Sequence, residues 1–96
     1  MIMTVLKAHV SSDRVADLER AYQEAIAALP PGISETFLVR DTRSSSSFQI
    51  VTVWNNQSEL DAMRRSGITP KGVQIFQSVG AAPDLSILDI VAHGHH

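Results

Sequence analysis

Residues 48–56, FQIVTVWNN, decide how this chain folds. A run rich in β-branched and aromatic side chains ends at the only tryptophan, Trp54, and passes into a polar turn. With a period of two, Phe48, Ile50, Thr52 and Trp54 share one face of a strand, and Gln49, Val51 and Val53 share the other. Both faces carry large apolar residues, so both need cover. Whether Trp54 fills the core or walls a pocket stays open at this level.

Upstream, residues 3–10, MTVLKAHV, alternate Val5, Lys7 and His9 against Thr4, Leu6, Ala8 and Val10, which predicts a first strand. Ser11-Ser12-Asp13 offers a helix start, and Val15, Leu18, Tyr22, Ala25, Ile26 and Leu29 form a helical stripe. Pro30-Pro31-Gly32 ends that helix. ISETFLVRD, residues 33–41, reads as a second strand, joined to the third by the polar hairpin loop 42–47. Downstream, Ser58 and Asp61 suggest a second helix start, with Leu60 and Met63 inward and Gly67 as its stop. Thr69-Pro70 opens a third helix carrying Val73, Phe76 and Val79, and LSILDIVA, residues 85–92, is the last strand. The order is β-α-β-β-α-β with a divided second crossover. This is an α+β, ferredoxin-like pattern with a four-stranded antiparallel sheet. Helices would cover one sheet face only. The other face would leave an apolar patch, which predicts a homodimer packed sheet against sheet.

The 96 residues suggest one domain, taken as 1–93, with Gly94-His95-His96 read as a purification-tag remnant. A net charge of -2, with no dense Lys/Arg cluster, argues against nucleic acid and against an anionic membrane as partners. With no cysteine there is no disulfide, thiolate site or thiol nucleophile. The N-terminal stretch has neither a signal-peptide pattern nor the length to span a bilayer, so a cytoplasmic location is the expectation. No His-rich cluster completes a metal site, and neither a phosphate loop nor a nucleophile elbow is present.

Residues 51–90 carry a resemblance. The strand-ending Trp54, the Ser58-Glu59-Leu60 helix start, the Phe76-x-x-Val79-Gly80-Ala81 turn and the PPGI break at 30–33 resemble the antibiotic biosynthesis monooxygenase (ABM) family of dimeric α+β barrels. The resemblance implies a pocket between sheet and helices. It also implies either oxidation of phenolic or quinol-like aromatics by molecular oxygen without metal or flavin, or cleavage of haem. The Trp of the cofactor-free members maps onto Trp54, while their Asn and Tyr fall on Ile50 and Leu60. The polar and aromatic positions of the haem-cleaving members fall near Val5, Met63 and Gly72, which do not fit that route.

A cofactor-free oxygenase needs an apolar slot, a flat wall and a base or hydrogen-bond donor near the reacting oxygen. Trp54 is the candidate wall, with its indole N–H free to donate. His9 is the candidate base, because histidine ordinarily titrates near neutrality and spacing is taken to turn its strand face toward the helices. Candidate substrate contacts are Tyr22, Arg40 for a developing oxyanion, Met63 and Phe76. The expected activity is a small monooxygenase acting on a small aromatic molecule, with no cofactor. A non-catalytic dimeric ligand-binding or regulatory module on the same fold is the alternative.

Overall fold

The computed structural model describes residues 1–96. The elements are β1 (Ile2–His9), α1 (Val15–Ile26, entered by a single 3₁₀ turn), β2 (Ile33–Arg40), β3 (Ser47–Trp54), α2 (Gln57–Arg65), α3 (Lys71–Ser78) and β4 (Asp84–Asp89). The four strands form one antiparallel sheet in the order β2-β3-β1-β4, so the α+β, ferredoxin-like topology is the observed one. The stretch around Trp54 is a central strand with a partner on each side.

Register makes transverse rows across the sheet. Thr36, Thr52, Thr4 and Ile87 lie side by side, and so do Leu38, Ile50, Leu6 and Leu85. On the helix side, Ile2, Thr4, Leu6, Ala8 and Val10 are all buried. This corrects the expected orientation of β1: Val5, Lys7 and His9 point to the uncovered face, and Lys7 and His9 are exposed.

The helices divide the sheet between them. α1 and α3 pack on each other over the main core, which includes Leu18, Phe48, Phe76, Val79 and Val10. α2 covers the other end of β3, where Ile2, Trp54 and Leu60 form a separate small cluster flanked by Ile33 and Met63. Leu18, Leu60 and Phe76 are fully buried, so each contributes about 1.5–3 kcal/mol of apolar burial. Between the two clusters runs the threonine row.

The starts of the two later helices differ from expectation. Asn56, not Ser58, caps α2: its side-chain oxygen accepts the Glu59 N–H at 3.0 Å and the Ser58 hydroxyl at 2.7 Å. Pro70 stands at the N-cap of α3 with extended ψ, one position before the helix proper. The divided crossover turns at Gly67, whose φ of +75° lies in the left-handed region that favours glycine. The last strand, expected over 85–92, is observed as β4 from Asp84 to Asp89, and all six of its residues are exposed.

Candidate functional site

The separation of the two clusters leaves a cavity of about 350 Å³ between sheet and helices. Its size is at the lower end for small-molecule sites. Thr4, Thr36 and Thr52 form its floor, Trp54 and Met63 one side, and α3 the side opposite, through Gly72, Val73 and Ile75. Gly72 permits this closeness: a Cβ there would stand 2.6 Å from Leu6 Cδ1. The exposed rim carries Leu29, Ile68 and Leu85.

The polar groups of the floor are few and ordered. Trp54 Nε1–H donates to Thr4 Oγ1 at 3.1 Å, so the indole N–H is engaged rather than free. That bond fixes the indole plane and leaves the Thr4 hydroxyl proton to donate elsewhere. Tyr22 Oη donates to Thr36 Oγ1 at 3.4 Å, and Thr36 and Thr52 Oγ1 stand 3.5 Å apart. Both separations are long for O–H···O bonds, so these hydroxyls retain capacity for a bound group.

The structure brings together three of the side chains singled out from sequence: Trp54, Tyr22 and Met63 line the cavity. The other three lie elsewhere. His9 is on the opposite sheet face, because β1 buries its even-numbered residues. Arg40 is on the helix side, but at the Phe48 end of the sheet, with its guanidinium 5.7 Å from the Phe48 ring centroid. Phe48 and Trp54 are six steps apart along β3, or roughly 20 Å at strand rise. Phe76 is wholly enclosed in the main core, one helical position past the cavity-lining Ile75.

Sequence reasoning passed over the threonine row and two cations of the rim, Arg64 and Lys71. Hydroxyls at inward positions of three strands were the available signal for the threonines. The cations had none, since only the reversal between α2 and α3 brings both to one opening. Among the cavity-lining residues the ionisable groups are Tyr22, Arg64 and Lys71; no carboxylate or imidazole is among them. No three His, Asp or Glu side chains cluster in a way that could hold a metal ion.

The family model for antibiotic biosynthesis monooxygenase matches residues 1–71. The chain belongs to this ABM family. Among solved structures, a mutant of SnoaB, a cofactor-independent oxygenase from Streptomyces nogalater, superposes with a TM-score of 0.71 at 19% identity, covering 96% of this chain and 94% of that one. A mutant of MhuD with manganese protoporphyrin IX in its active site superposes with a TM-score of 0.73 at 14% identity, covering 100% of each chain. A conserved protein from Methanosarcina mazei Go1 gives 0.70 at 16% identity, covering 91% of this chain and 89% of its own. At these identities the likeness is one of fold. No curated protein matches the sequence. No helix of this ABM domain is long and apolar enough to cross a membrane.

Proposed function

We propose that this ABM protein is a cofactor-independent oxygenase of a flat, electron-rich aromatic of the phenol or quinol type. The observation that carries the reading is an apolar cavity walled by an indole whose plane is fixed by Thr4, above a floor of under-used hydroxyls. An apolar cavity of about 150 Å³ accepts benzene, so about 350 Å³ suits a small fused-ring system. Trp54 and Met63 would hold the ring. Tyr22, Thr36 and Thr52 would hydrogen-bond its oxygen and stabilise the anion left when the ring system loses a proton.

That anion is the reductant. Its carbon gives an electron to molecular oxygen, a carbon–oxygen bond forms, and loss of water leaves a carbonyl. One oxygen atom stays on the ring, the other leaves as water, and the ring carbon supplies all the electrons. With no carboxylate or imidazole in the cavity, the site favours substrates acidic enough to ionise with little help. The role left to the protein is to hold the anion away from bulk water, beside oxygen.

The protein is further proposed to act as a homodimer through its uncovered sheet face. That face presents Met3, Val5, Phe37, Val39, Val51 and Leu88, with Phe37, Val39 and Leu88 between 42% and 47% exposed.

The lack of a base also favours a second reading, a ligand-binding module without turnover. Ile50 and Leu60, where the resemblance places polar groups, add to it. Oxygen uptake with a panel of quinols and hydroxylated anthrones separates the two. Uptake that yields a carbonyl product and falls in Trp54→Phe and Tyr22→Phe supports the oxygenase. Binding without uptake across the panel supports the module.

A further inference from the structure

The protein is acid-rich, with ten Asp and Glu against eight Lys and Arg. Yet none of the ten carboxylates lines the cavity, while Arg64 and Lys71 both do. Arg64 lies in the last turn of α2 and Lys71 opens α3, so the two approach the same opening from separate helices. Both are exposed, and neither takes part in the ion pairs of the structure, which join Asp17 to Arg14 and Arg20 on α1. The remaining ionisable side chain of the lining, Tyr22, is set against the floor through Thr36. The cavity is therefore apolar in its depth, hydroxylic at its floor and cationic at its mouth.

We infer that the ligand is an aromatic acid: a flat ring system bearing an anionic substituent, such as a carboxylate, that stays at the mouth against Arg64 and Lys71. This rests on the aromatic-pocket reading above and narrows it to a substrate class. The ring lies on Trp54 and the anionic group remains partly hydrated, so its desolvation is small. The cations then act on orientation. With the acid held at the rim, the opposite edge of the ring is presented to the threonine row, where the reacting oxygen belongs. A ligand with its acid at the reacting edge would bury that charge among hydroxyls and apolar side chains, and is disfavoured.

The test uses 2-naphthoate and its neutral near-isostere 2-naphthamide. Affinity is measured by calorimetry, and the indole N–H NMR signal, unique because Trp54 is the sole tryptophan, reports the site. Both probes should shift that signal. The acid should bind about tenfold more tightly at low salt, as expected for charge-assisted contacts to exposed cations. In Arg64→Gln/Lys71→Gln the preference should shrink to about twofold or less while the amide still binds. Added salt should weaken the acid and spare the amide in the unaltered protein, a readout independent of any variant. Equal affinities in the unaltered protein, or a preference that survives the double substitution, overturn the inference and leave the pocket standing. If neither probe moves the indole signal, the aromatic pocket itself falls, and the inference with it.

Discussion

Trp54 and Thr4 stand 50 positions apart in the chain and are joined by a buried 3.1 Å hydrogen bond from indole N–H to threonine hydroxyl. The bond ties the end of β3 to the start of β1 and fixes the flat wall of the cavity. Thr4→Val keeps the shape and strands the indole donor in a buried place. A loss of about 1–3 kcal/mol is expected, with a fall in melting temperature of at least about 4 °C for a domain of this size. Trp54→Phe made in the Thr4→Val background should cost less than the two single effects summed, since the orphaned donor goes too. Calorimetric melting of the four proteins checks this.

Tyr22 touches the floor only through a 3.4 Å contact to Thr36. Tyr22→Phe should therefore leave the melting temperature within a few degrees. If the hydroxyl stabilises an anionic ring, turnover should fall about tenfold or more. A melting curve beside an oxygen-uptake assay separates the two effects.

His9 belongs to the exposed, uncovered side of the sheet. His9→Gln should leave the rate within about twofold, as for a surface change remote from the chemistry. A larger fall at unchanged stability would return the imidazole to the mechanism.

Gly72 lets α3 close on β1, and a methyl group there would meet Leu6 Cδ1 at 2.6 Å. Gly72→Ala should destabilise by about 1–3 kcal/mol through overpacking and alter the cavity. Shortening the obstructing side chain, in Leu6→Val/Gly72→Ala, should recover part of that loss. Thermal melts of the single and double variants check it.

Phe37 and Leu88 lie on the uncovered face, on opposite edge strands. Sedimentation equilibrium should find a dimer, and Phe37→Glu/Leu88→Glu should yield folded monomer by placing charges in an apolar contact. A monomer before substitution would defeat the sheet-to-sheet arrangement.

The elements were legible because the sequence punctuates them plainly. Pro30-Pro31-Gly32 marks the break after α1, although the helix itself ends at Ile26, the serine-rich loop joins two strands, and Gly67 with Pro70 divides the second crossover. Parity in β1 was harder. Its opening pairs, Ile2 with Met3 and Thr4 with Val5, give both faces comparable bulk, so its inward side is settled by the register with Ile50 and Phe48. Asn56 was readable as a turn residue, but its side chain caps the following helix, since turn and cap draw on the same carbonyl chemistry. At the site, Trp54 and Tyr22 stood out by residue type. The threonines did not, because a hydroxyl on a strand attracts no notice until register lines it up with others.

The segment from Ser66 to Pro70 is held mainly by short-range bonds: Ser66 Oγ to the Met63 carbonyl, the Ile68 N–H to Ser66 Oγ, and Gln74 Nε2 to the Thr69 carbonyl. The threonine floor, by contrast, is woven into three strands at once. Variation confined to Ser66, Ile68, Thr69 and Pro70, with Gly67 kept for its left-handed turn, should therefore re-aim the protein at differently shaped molecules with little change in its melting behaviour. A library built on those four positions is the economical way to look for new specificities.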